Sequence, residues 1–109
     1  MTDLILFHSR LYVADALSES KRKVLKKLKQ GKLQTGVFVI TLPLGKSDML
    51  EVYPSYVLLQ KAFKEASVTV VGIADQQESA FLLIEQMVND CLQEHNNADI
   101  RGYFEQDIS

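Results

Sequence analysis

The sequence predicts a small α/β protein, a single domain over residues 1–109 in which helices cover a small mixed sheet. Three observations lead there. Val68-Thr69-Val70-Val71-Gly72-Ile73-Ala74 is apolar and β-branched without alternation, as in a strand covered on both faces. Phe81, Leu82, Leu83, Ile84, Met87, Val88, Cys91 and Leu92 then recur at helical spacing, a stripe broad enough for a mostly buried helix over 80–92. Upstream, short apolar runs, helical segments and turn signals follow one another to give the order β-α-β-β-α-β-α. The chain is 47% apolar and 24% charged, which matches globular domains and excludes disordered and fibrous classes.

Leu4-Ile5-Leu6-Phe7 reads as a buried strand. His8-Ser9-Arg10 follow, and then Leu11-Tyr12-Val13-Ala14, which either extends the strand or forms an ordered loop. Ser18 or Ser20 can cap a helix that runs to about Gln30 and stops at Gly31. That helix has a narrow apolar face of Leu17, Val24, Leu25 and Leu28 and a broad basic one. Residues 36–42 form a second strand, and 43–48 carry turn chemistry. Residues 49–53 can return as an antiparallel edge strand ended by Pro54, because proline cannot donate to a ladder. Ser55 can cap a helix through Ala66. Before the last helix, Asp75 stands as N-cap with Glu78 three residues on, the spacing of a capping box. Residues 96–109 are expected to be a partly ordered tail, docked by Tyr103 and Phe104.

The first three elements suit a right-handed crossover between parallel strands. Two β-α-β halves joined by a hairpin give an open mixed sheet, or alternatively a ferredoxin-like α+β sheet with an added C-terminal helix. The apolarity of 68–74 argues against an edge position for that strand, and so for the open sheet or for a dimer covering the edge.

Charge is unevenly distributed along the chain. Residues 1–64 hold 11 of the 12 Lys and Arg against 5 acids, a net +6, whereas residues 65–109 hold Arg101 alone against 9 acids, a net −8. Such polarity favours self-association or an oppositely charged partner when it survives folding, and vanishes when the halves interleave. No apolar run approaches the roughly 20 residues that span a bilayer. The N-terminal run stops at Phe7 without a basic lead, so neither a membrane partner nor a secretory signal is expected. One cysteine makes no internal disulfide, which leaves the cytoplasm as the expected compartment.

No catalytic, cofactor or metal motif is complete. Gly45-Lys46-Ser47 resembles the end of a phosphate-binding loop, but Ile40 stands where its first glycine belongs and a strand is expected to follow. Gly72 is one glycine where a dinucleotide fingerprint needs three, and it is better suited to letting a helix or strand approach closely. The Ser-x-x-Lys spacings in 18–23 are explained by helix capping. Cys91 and His95 share a helix face without a third ligand nearby.

Two groups remain. His8, Ser9 and Arg10 directly follow a buried strand, where His can move a proton and Arg can hold an anion. Asp75 joins them at one end of the sheet if the strands are all parallel, and lies at the other end if the hairpin reverses the chain. Lys21, Arg22, Lys23, Lys26, Lys27 and Lys29, with Lys32 beyond, form the basic helix. Nucleic acid is disfavoured there, since Arg22 is the only arginine, no aromatic lies between Leu17 and Lys32, and the net charge is −2. The sequence therefore points to a binding protein without catalysis of its own, expected to be a homodimer and to present its basic helix to an acidic protein surface or to its own acidic half. A small-molecule or anion-binding enzyme using His8 and Arg10 is the alternative, and a nucleic-acid-associated protein a third reading.

Overall fold

A computed structural model describes residues 5–42, 50–59, 68–96 and 99–105. In chain order these form β1 (Ile5–Val13), a 3₁₀ turn (Asp15–Leu17), α1 (Lys21–Lys29), β2 (Phe38–Thr41) and β3 (Glu51–Pro54). A second 3₁₀ turn (Ser55–Leu59), β4 (Val68–Ala74), α2 (Gln77–His95) and α3 (Ile100–Glu105) complete them. The expected Gly45-Lys46-Ser47 turn, and residues 60–66 of the helix expected after Ser55, lie outside the described residues; Ser55–Leu59 itself is a 3₁₀ turn.

The four strands make one mixed sheet in the order β1-β4-β2-β3, an α+β arrangement. β1 runs parallel to β4, β4 antiparallel to β2, and β2 antiparallel to β3. The expected hairpin is therefore present, displaced so that Pro54 lies inside β3 opposite Phe38. A proline is tolerated there because β3 is an edge strand. The expected parallel crossover from β1 to β2 is not formed, because β4 lies between them and β2 runs the other way. The ferredoxin-like alternative would leave the last strand at an edge, and β4 is interior. Burial explains both outcomes: Val68, Val70, Val71, Ile73 and Ala74 are all 0–1% exposed, which only a position flanked on both sides and covered on both faces provides.

Apolar side chains fill both faces of the sheet. On one face α1 and the 3₁₀ turns place Leu17, Val24, Leu28 and Leu58 against Val39, Val68, Val70 and Ile73. On the other, α2 and α3 place Ala80, Leu83, Met87, Cys91, Tyr103 and Phe104 against Ile40, Val71 and Ala74. Gly72 sits under α2: a Cβ there would lie 2.9 Å from Ile40 Cδ1 and 3.1 Å from Met87 Cε, so the bare backbone is what lets the helix approach.

α2 starts at Gln77 with extended Gln76 as N-cap and no side-chain capping bond, so the expected Asp75 capping box does not form. Its C-terminus closes on left-handed Asn96 (φ 57°), whose N–H donates to Leu92 O at 2.9 Å. α2 is also less buried than its apolar content implies, with Phe81, Leu82 and Leu92 exposed. Among the described residues, no helix is long and apolar enough to cross a membrane.

Candidate functional site

β1 is longer than its apolar run and takes in His8, Ser9 and Arg10. Phe7 faces Val70 and Tyr12 faces Gly72, so β1 advances five residues while β4 advances two. The surplus forms a bulge, and His8 braces it. The Arg10 backbone N–H donates to His8 Nδ1 at 3.0 Å. A backbone N–H can only donate, so Nδ1 is the bare nitrogen and Nε2 carries the proton. Nε2–H then donates to Phe104 O at 2.7 Å, from a ring that is 5% exposed. Phe104 lies in the last turn of α3, where carbonyls lack intrahelical donors, so His8 caps this helix from β1. The Phe104 ring meets His8 edge-on with centroids 4.9 Å apart.

Arg10 and Tyr12 reach the same neighbours. Arg10 Nη1 donates to Glu94 Oε2 at 2.8 Å, with the two side chains 40% and 46% exposed. Its guanidinium also lies 5.2 Å from the centroid of the Tyr103 ring. The Tyr12 hydroxyl donates to Asp90 Oδ2 at 2.5 Å and stands 3.2 Å from the Tyr103 hydroxyl. His95 packs edge-on against Tyr103.

Each shift in acidity here has a local cause. The hydrogen bond from Arg10, aided by one from Tyr103, holds the Glu94 carboxyl below the usual carboxylate range. Burial, and then the hydrogen bond to Asp90, push the Tyr12 phenol well above the ordinary tyrosine range. Burial pushes up the Cys91 thiol, with Asp99 and Glu94 adding to it. The cluster thus holds its proton donors and acceptors in pairs, and its chemistry is that of a latch joining β1, α2 and α3.

The structure separates the residues that the sequence grouped. Ser9 is exposed on the bulge. Because β1 and β4 are parallel, Asp75 lies beyond the carboxyl end of β1, in an open cleft with Val13, Ala14, Asp15, Ser79 and Gln86. His8 and Arg10 sit further back along the same strand, one buried and the other in an ion pair, and do not share that cleft. The sequence does not group Tyr12, Asp90, Glu94, His95 and Tyr103 with His8 and Arg10: Tyr103 is expected only to dock the tail, and His95, with Asp90 and Glu94 as possible oxygen ligands, is weighed only beside Cys91 as an incomplete metal pair. Two signals pointed to them: Tyr12 follows His8 and Arg10 at alternate positions, and Asp90 and Glu94 are one helical turn apart. Cys91 is in the core and His95 lies on Tyr103. Among the described residues no group of three His, Cys, Asp or Glu is placed to hold a metal ion.

The basic helix stands apart from this cluster, on the opposite face of the sheet. α1 buries Val24 and Leu28 and presents Lys21, Arg22, Lys23, Lys26 and Lys29 to solvent, with Lys27 half-buried. Its nine residues hold six cations and no acid. None of the six is paired with a carboxylate of a described residue; Lys29 Nζ instead lies 5.5 Å from the Phe7 ring centroid. Ser20 stands at the N-cap, but its hydroxyl donates to Leu17 O and leaves the first-turn N–H groups uncapped by a side chain. Comparison with protein-family models, with curated proteins and with solved structures returns no match.

Proposed function

We propose that this chain is a small binding protein whose working surface is the outward face of α1, and that it engages an acidic protein surface in a homo-oligomer or a mixed complex. The observation that carries this reading is the composition of the helix: six cations, five of them exposed, no acid, and no carboxylate partner among the described residues. A helix selected for stability alone would place its charges differently. Cations in a first turn oppose the positive end of the helix dipole and cost a few tenths of a kcal/mol each, roughly, yet Lys21, Arg22 and Lys23 all stand there with no acid in that turn. The uncapped first-turn N–H groups add to the same positive potential.

The chemistry of the face favours a protein carboxylate over a nucleic acid. Arg22 is its one guanidinium, so bidentate phosphate or base contacts are few, and no aromatic is present for a base to stack upon. The test is binding of a short oligoglutamate peptide and of duplex DNA, measured side by side at equal ionic strength. Reversing Lys23, Lys26 and Lys27 to Glu is expected to abolish oligoglutamate binding while the circular dichroism spectrum and melting temperature stay near wild type. Survival of binding in the triple variant, or tighter binding of the duplex, overturns the reading.

A further inference from the structure

We propose that the acidic surface engaged by α1 is the outward face of α2 on a second copy of this chain, an inference that rests on the binding reading above. The two helices lie on opposite faces of one sheet, so the contrast in charge between them is carried to opposite sides of the described structure. α1 holds six cations and no acid, whereas α2 holds four acids, Glu78, Glu85, Asp90 and Glu94, and no Lys or Arg. Asp90 and Glu94 are turned to Tyr12 and Arg10. Glu78 and Glu85 are exposed, and neither is paired with a cation of a described residue.

Between these two acids stand Phe81 and Leu82, at 53% and 66% exposure. Glu78, Phe81, Leu82 and Glu85 follow the i, i+3, i+4, i+7 rule, so they form one stripe on the solvent side of α2. Lys and Arg suit such a stripe, because their apolar stems can cover the two hydrophobic side chains while the charged heads reach the acids. The spacing also corresponds: Glu78 and Glu85, like Arg22 and Lys29, are seven residues or roughly 10 Å apart along a helix.

Association through the sheet edges is obstructed. Pro54 interrupts the hydrogen-bonding edge of β3, and the bulge at His8–Arg10 distorts that of β1, so neither edge is a regular template for a second sheet. A two-fold dimer through α1 would set six cations against six. With the complementary faces on opposite sides of the molecule, one contact leaves both outer faces free, and the assembly is head-to-tail and open-ended. This differs from the homodimer expected from the sequence.

The test is sedimentation velocity over a concentration series, at salt of about 20 mM and about 300 mM, which lie on either side of effective screening. Wild type is expected to rise from 12.3 kDa past twice that mass at low salt without a plateau at the dimer, and to return to monomer at high salt. Glu78→Lys with Glu85→Lys, both at exposed positions, is expected to weaken association by about tenfold or more with an unchanged circular dichroism spectrum. A monomer at all concentrations, a salt-independent dimer, or undiminished association of the Glu78→Lys/Glu85→Lys variant each overturns the proposal. Oligoglutamate binding by the same samples separates the two levels. If it persists while self-association is absent, only the identity of the partner fails; if it too is absent, the binding reading fails with it.

Discussion

Replacing His8 by phenylalanine keeps a ring of similar size in a buried position and removes two hydrogen bonds. The Phe104 carbonyl, at the end of α3, loses its donor from Nε2 at 2.7 Å. The part-buried Arg10 N–H loses its acceptor at 3.0 Å. A buried acceptor left without a partner costs about 1–3 kcal/mol, and a part-buried amide that water can reach costs nearer the net value of one bond, about 1 kcal/mol. The expected loss is therefore about 2–4 kcal/mol. The chain has no tryptophan, so urea unfolding is best followed by far-ultraviolet circular dichroism. With a urea dependence of about 2 kcal/mol per molar, the midpoint should fall by about 1–2 M at unchanged slope. His8→Gln should fall between, since one amide can replace either bond but not both. Nitrogen NMR of the wild type should show the Nε2–H tautomer. A His8→Phe variant within about 0.5 kcal/mol of wild type would show that the ring only fills space and that β1 does not cap α3.

Gly72→Ala places its methyl against Ile40 and Met87, whose tips can move, so a loss of about 1–3 kcal/mol in the same urea assay is expected; no loss would mean that α2 does not press on β4. The buried, raised Cys91 thiol should react with an aromatic disulfide reagent about tenfold or more slowly in the folded protein than in denaturant, and equal rates would place it outside the core. Glu94 has a lowered folded pKa, so its contribution is present above the ordinary carboxylate range and is lost as pH falls through the folded value. The melting-temperature gap between wild type and Glu94→Gln should accordingly be small but measurable at neutral pH and close in acid; a gap that widens in acid would contradict the Arg10 pairing.

What the sequence determines by itself is local. The β-branched run at Val68–Ala74 specifies a strand buried on both faces, Gly72 a close approach, and Pro54 the edge character of the strand that contains it. Six cations on a helix with three buried or half-buried apolar positions specify a solvated basic face wherever that helix docks. Each of these follows from side-chain periodicity over a few residues, or from the geometry of one residue. Strand order does not. β4 lies between β1 and β2 because its apolar faces gain most from two neighbours, and that competition is between segments far apart in the chain. The bulge of β1 has no local signature either, since it exists only in register with β4. The same limit applies to His8, whose partner Phe104 is 96 residues away. It applies equally to Asp75: the parallel pairing brings it to the carboxyl end of β1, but that strand runs on to Val13 and leaves His8 and Arg10 further back. For α2, periodicity showed a broad apolar surface, but how much of it this chain covers depends on which elements pack against it. Phe81 and Leu82 are left outside because β4, β2 and α3 meet the helix on its other side.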